Sequence, residues 1–381
     1  MSRVVIAQHI LARRPVRLEW AADGPPRASW TSDNPEPSTC FAPGLVDLQV
    51  NGFSGIDFQS EQPITTEGLL HACEGLREAG CLRFLLTLIT DDWDRLLERL
   101  RHLRTVRATH PALTRMVAGW HVEGPFLSDR PGFHGAHDPS LMRDPSPELI
   151  GALRRALGTD PVLLTLAPER KGAVESIGAA VALGMRVSLG HTDASSECLA
   201  AAVAAGATGF THLGNGCPQL LDRHDNVLWR ALDQPGLTIG LIPDGFHVPP
   251  TPFRVMHRAA GSDRVFYVTD AMSAAGAPPG RYPLKDQMLE VGMDQIVRRP
   301  GSAQFAGSAL RPVEGVFRAA AMLGESWRQS WLRFSRSPAE WMKLPSPGTA
   351  EPPQEGCIVT TAPDGSLQSL EIFESSSTDR R

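Results

Sequence analysis

Five short apolar runs in this 381-residue chain each end in polar residues able to do hydrolytic chemistry. Trp120 is followed by His121-Val122-Glu123-Gly124-Pro125, and Leu189 by Gly190-His191-Thr192-Asp193. Thr211 precedes His212-Leu213-Gly214-Asn215, Ile242 leads to Asp244-Gly245-Phe246-His247, and Val268 to Thr269-Asp270-Ala271. Glu123, His191 and His212 supply one carboxylate and two imidazoles. That donor set suits Zn²⁺ or another borderline divalent ion with one coordination position left open. Such an ion lowers the pKa of bound water from ~15.7 to ~7 and polarises a carbonyl. A base must still take the water proton and pass it to a leaving amine, and Asp270 is the carboxylate placed for it. His121 lies two residues before Glu123 and so shares its face of a strand, as a supporting group or a further ligand. Asp193 reads as the N-cap of a helix entered through Ala194-Ser195-Ser196.

An amide pair, Gln49 and Asn51, closes the run before these. Neutral amides are poor ligands for a zinc-like ion beside imidazole and carboxylate. They read as hydrogen-bonding members of the floor of a site that holds one metal.

The elements that must position these groups follow from a repeating rhythm. Apolar runs recur at Leu45–Gln49, Leu82–Leu88, Met116–Trp120, Val162–Leu166, Arg186–Leu189, Thr208–Thr211, Leu237–Ile242 and Val265–Val268. Segments with helical spacing lie between most of them, as at Glu67–Ala79, Trp93–Leu103, Pro147–Leu157 and Ser195–Ala205. Eight buried strands alternating with helices predict parallel βαβ units closed into an α/β, (β/α)8 TIM-like barrel. Catalytic groups of such a barrel converge at the C-terminal strand ends. An open doubly wound sheet is the second choice, weakened by the absence of a G-x-G-x-x-G turn after the first strand. Both chain ends read instead as short strands between Gly/Pro turns. Residues 1–42 and 345–375 are therefore expected to form one small, discontinuous β-sandwich domain, and 43–344 the barrel. The Pro-rich stretch 345–355 has no assigned role, and the tail SSSTDRR is expected to be disordered. The Glu/Arg-rich stretch Asp91 to Arg107 reads as a solvated helix face.

A formal net charge of −5 argues against a nucleic-acid surface. Six scattered cysteines without a C-x-x-C pair argue against a zinc ribbon or disulfide framework and suit a reducing cytoplasm. Arginines interrupt each apolar run of the N-terminus, which does not read as a secretory leader, and no run reaches the length of a transmembrane helix. No membrane partner is expected.

The motifs PGLVDLQVNGF, HVEGPF, GAHDP, LAPE, SLGHTDA, THLGN, DGFH, VTDAM and FAGSAL occur in that order from about residue 43 to 310. This series resembles the N-acetylglucosamine-6-phosphate deacetylase family of the amidohydrolase superfamily. The resemblance implies hydrolysis of the acetamide of an amino sugar phosphate, N-acetylglucosamine 6-phosphate to glucosamine 6-phosphate and acetate. It implies Glu123, His191 and His212 as ligands of one divalent metal ion, zinc by expectation, and Asp270 as general base and acid. Members with the Q-x-N pattern of Gln49 and Asn51 use one metal. His137, next to Ala136 in GAHDP, matches a histidine that meets the acetamide. Asn215 and Gly216 match the pair approaching the sugar, Arg223 the arginine that grips the phosphate, and His247 a further substrate histidine. Phe305, Ala306, Gly307 and Ser308 match a substrate-lining loop. The resemblance also implies a homodimer. The run LGNGC departs from the family's bulkier L-F/Y-N-A-M, and Arg223 has His224 and Arg230 as neighbours. A different N-acyl amino sugar or an N-acyl amino acid is therefore the alternative substrate. A non-catalytic barrel is a further alternative, but it would have lost the ligands or the base.

Overall fold

The computed structural model describes residues 3–22, 24–301, 305–345, 348 and 351–375. Eight strands form one sheet: Leu45–Val50, Cys81–Ile89, Val117–Glu123, Val162–Leu166, Arg186–Leu189, Gly209–Phe210, Thr238–Leu241 and Val265–Tyr267. Each pairs in parallel with the next, in sequence order. These are the eight apolar runs, and the barrel is nearly closed. At the seam between the eighth strand and the first, Ala271 bridges Val50 in parallel and its carbonyl accepts from Asn51 N at 2.7 Å. Side chains complete the seam. The fully buried Asp47 side chain accepts from Thr269 Oγ1 at 2.6 Å and from Thr269 N at 3.2 Å, so one carboxyl group stitches first strand to last. Burial pushes its pKa up to about 7, against the pull of those donors.

Helices pack outside because their apolar residues fall on one face. In Thr66–Glu78 the buried residues are Leu69, Ala72, Cys73 and Leu76, a 3-1-3 spacing along one stripe. Start signals are side-chain caps: Thr65, Asp92, Ser146 and Ser195 each accept from backbone N–H groups of the following turn. The cap of Ser196–Ala204 is thus Ser195, not the expected Asp193, which instead pairs with Arg130 and with Arg230 at 3.5 Å. A hydroxyl one residue before the helix reaches its N–H groups, which leaves the longer-range aspartate free for arginines. The helix Trp93–Ala108 turns charges outward, but Asp91 ahead of it is fully buried beside Arg95, Arg99 and Lys285.

Both termini meet in one six-stranded sheet, ordered Leu367–Glu374, Glu355–Thr361, Thr39–Ala42, Arg3–His9, Pro15–Trp20 and Arg27–Trp30. Its seam pairs Cys357 with Ala42. Trp331 Nε1 donates to Pro43 O at 2.7 Å, and Arg83 meets Glu355 at 2.5 Å, tying this sheet to the barrel. Part of the Pro-rich stretch 345–355, and the tail beyond Ser375, lie outside the described residues. A three-stranded sheet, Gly280–Leu284, Gln287–Val291 and Val297–Arg298, is inserted after the eighth strand. Among the described residues no helix is long and apolar enough to cross a membrane.

Candidate active site

Strands three, five and six deliver Glu123, His191 and His212 to one point. His212 Nε2 lies 2.9 Å from Glu123 Oε1, His191 Nε2 lies 3.4 Å from the same oxygen, and the two Nε2 atoms are 3.2 Å apart. All three side chains are buried, and one ligand atom from each lies within 4.8 Å of the others. His191 Nδ1 donates to Phe133 O at 2.8 Å, so its Nε2 carries the lone pair that faces the cluster. Two imidazole nitrogens turned toward each other and toward one carboxylate oxygen, away from water, are the donor chemistry of a divalent cation site. The residues fit a metal. Burial opposes ionisation of Glu123, yet the imidazoles of His191 and His212 beside it outweigh burial and hold the carboxyl well below its usual range. Burial likewise opposes protonation of His212, but the bond to Glu123 raises its pKa.

The strand ends are shaped by backbone that ordinary residues avoid. His191, His212 and Asp270 have φ of +51°, +32° and +51°. Left-handed backbone at a non-glycine residue costs roughly 1–3 kcal/mol, and here it sits at the two clustered histidines and at the carboxylate after the eighth strand. Glycines pack against the His191 ring. A Cβ on Gly216 (φ +62°) would lie 2.8 Å from His191 Nδ1, and one on Gly135 (φ +58°) 3.0 Å from Cε1.

The amide pair is brought into this cluster. Gln49 Nε2 donates to Glu123 Oε1 at 3.1 Å, and Asn51 Nδ2 donates to Asp270 Oδ1 at 2.8 Å. Burial raises the pKa of Asp270, and the nearby Glu123 charge raises it further. His121 is outside the cluster: its Nε2 meets Thr165 Oγ1 at 2.8 Å, in a hydroxyl chain continuing to Thr211 and Ser188.

His137 closes one wall, with Nε2 3.7 Å from Glu123 Oε2 and its ring 4.5 Å from that of His191. Ala136 is half-buried, and its carbonyl accepts from Gln287 Nε2 at 3.0 Å. Asn215 turns back on the sixth strand, with Nδ2 3.2 Å from His212 O. His247 Nδ1 is 2.6 Å from Asp244 Oδ2, and its ring lies 5.2 Å from Phe305. Phe305 is 41% exposed, whereas Ala306 and Ser308 are buried. The Ser308 hydroxyl donates to Thr269 O at 2.6 Å, and its N–H to Asp270 O at 2.9 Å. That half of the loop pins the Asp270 turn, and Gly307 (φ +67°) lies between. Arg223 is on the exposed loop after Gly216, in no ion pair among the described residues. Its neighbour Arg230 is committed to Asp225 at 2.6 Å and to Asp193.

Sequence reasoning missed Thr90, Phe133, Gly135 and Lys285. Thr90 follows the second strand, the position shared by the other site residues, and that placement was its available signal. Lys285 comes from the inserted sheet, for which no strand was expected.

Comparison with known proteins agrees with this fold. The chain is 31% identical over 328 residues to the N-acetylglucosamine-6-phosphate deacetylase of Vibrio furnissii, spanning 86% of this chain and 80% of that protein. It is 32% identical over 332 residues to the N-acetylgalactosamine-6-phosphate deacetylase of Shewanella sp. (strain ANA-3), spanning 84% and 79%. Among solved structures it is similar to a mutant N-acetyl-D-glucosamine-6-phosphate deacetylase from Mycobacterium smegmatis in complex with N-acetyl-D-glucosamine-6-phosphate. The TM-score is 0.81 at 28% identity over 97% of each chain. No family model matches the chain.

Proposed function

This chain belongs to the N-acetylglucosamine-6-phosphate deacetylase family of the amidohydrolase superfamily, and from that membership we propose that it hydrolyses the acetamide of N-acetylglucosamine 6-phosphate. The carrying observation is the buried convergence of Glu123, His191 and His212, with Asp270 held beside them by Asn51. These three side chains would hold one divalent ion, zinc by preference for this donor set, which when bound acidifies water and polarises a carbonyl. Asp270 accepts the proton of the attacking water as the new C–O bond forms at the acetamide carbon. It then delivers that proton to the nitrogen as the C–N bond breaks, giving acetate and the free amine. Its raised pKa, caused by burial and Glu123, suits a carboxylate that must hold a proton between these events.

His137 faces the acetamide, flanked by Ala136. Gln49 keeps the Glu123 carboxylate oriented. Asn215 and Gly216 approach the sugar ring, and His247 and Phe305 form the opposite rim, with Ala306, Gly307 and Ser308 behind it. Arg223 binds the phosphate, a role supported by its exposure and by the commitment of Arg230 elsewhere. The proposed unit boundaries, 1–42 with 345–375 and 43–344, are supported by the Cys357–Ala42 pairing of the two termini. A cytoplasmic homodimer is the expected working form.

The similarity to an N-acetylgalactosamine-6-phosphate deacetylase favours a second reading, in which the 4-epimer is the preferred sugar. Acetate release from both phosphosugars and from their unphosphorylated counterparts separates these readings. Arg223→Ala is expected to raise KM by about tenfold or more for phosphorylated substrates only, since a charge-assisted pair is lost. An equal effect on free sugars would remove Arg223 from phosphate binding, and no acetate from any amino sugar would refute the function.

A further inference from the structure

The His137 ring meets the chain on its Nδ1 side through one residue, Thr90. Thr90 N lies 3.3 Å from His137 Nδ1, and Thr90 Oγ1 lies 2.8 Å from the same nitrogen. A backbone N–H can only donate, so Nδ1 must accept and carries no hydrogen; the hydroxyl donates to it as well. The ring proton of the neutral imidazole therefore sits on Nε2, the atom turned toward Glu123 and the reaction site. A ring with the opposite tautomer would present a lone pair there and repel a carbonyl oxygen.

Thr90 is itself held from the inserted sheet. Lys285, at the turn between Gly280–Leu284 and Gln287–Val291, donates from Nζ to Thr90 O at 3.1 Å. Its side chain is 8% exposed and its ammonium lies 3.4 Å from the buried Asp91 carboxylate, while its backbone N–H donates to Asp57 Oδ2 at 2.7 Å. Two residues on, Gln287 holds Ala136 O, so one turn clamps both the strand end bearing Thr90 and the loop bearing His137. On the other side, a Cβ at Gly124 would lie 2.2 Å from Thr90 Oγ1, so glycine there keeps room for the hydroxyl.

We propose that Thr90 and Lys285 are positioning residues that fix His137 as its Nε2-protonated tautomer, so that it presents a hydrogen-bond donor to the acetamide oxygen. This rests on the deacetylase reading and on the place given to His137 in it.

The direct test is the ¹⁵N spectrum of the full zinc-loaded chain with labelled imidazoles, the His137 ring being assigned by its loss in His137→Gln. The expected result is an unprotonated Nδ1 and a protonated Nε2; a protonated Nδ1 overturns the proposal. In parallel, Thr90→Val should lower kcat about 10- to 100-fold, the range found when a histidine loses its orienting partner. KM should change little and the His137 Nδ1 signal should move. Thr90→Ser should recover most of the rate, and Lys285→Met should lower kcat in the same direction. Unchanged kcat and an unmoved signal in Thr90→Val would overturn the proposal. An inactive His137→Gln together with a protonated Nδ1 would refute this relay and leave the deacetylase reading standing. A fully active His137→Gln would remove His137 from the chemistry and the relay with it.

Discussion

Asp270 carries the proton traffic of the proposed reaction, and its surroundings say why a neutral isostere cannot replace it. Its carboxylate is held by Asn51 beside the Glu123 carboxylate, and an amide in its place cannot exchange a proton. Asp270→Asn should cost about 10²- to 10⁴-fold in kcat and leave bound metal unchanged; acetate release at equal metal loading checks both. Gly216 acts by what it lacks. A methyl group 2.8 Å from His191 Nδ1, on backbone at φ +62°, must push the ring aside. Gly216→Ala should weaken metal affinity by about 10- to 100-fold, measured by competition with a chromophoric chelator, and an unchanged affinity would contradict that placement. Glu123, His191, His212 and Asp270 were legible in the sequence because each follows an apolar run, and a barrel gathers such positions at one face. The left-handed backbone at three of these residues was not, because no local pattern announces a conformation imposed by tertiary packing. Arg223 lies on the exposed loop after Gly216, and the direction of an exposed side chain leaves no trace in a sequence.

At the scale of elements, the helix Pro250–Ala260 packs on the eighth strand through a buried pair, with Tyr267 Oη 3.0 Å from His257 Nε2. Burial first, and the Arg333 charge second, push the His257 pKa down to about 4. The unfolded chain binds a proton at about 6.5 that the folded chain refuses. Stability from this group is therefore complete above pH 6.5 and is lost as pH falls toward 4, by a few kcal/mol in order of magnitude. The urea midpoint of His257→Gln should fall less between those pH values than that of the wild type; parallel slopes would contradict the assignment. The barrel strands were legible because fully buried parallel strands leave continuous apolar runs. The inserted sheet was not. In Gly280–Leu284 the burial pattern rises from exposed to buried rather than alternating, and its turn is Lys285-Asp286 rather than a glycine-rich pair. What it contributes, Lys285 and Gln287 against Thr90 and Ala136, is long-range and invisible to local pattern.

The whole molecule joins a barrel, a terminal sheet built from both ends of the described chain, and one mouth whose buried Glu123, His191 and His212 would hold a divalent ion. The amide pair is decisive. Gln49 and Asn51 are spent as donors to Glu123 and Asp270, which is the support for the proposed single-metal site. The measurement that tests this most directly is acetate release from N-acetylglucosamine 6-phosphate as metal-free protein is titrated with zinc. A single-metal site gives a rate that climbs linearly and reaches its plateau at one equivalent per chain. No acetate at any loading, or a plateau only at two equivalents, would contradict it.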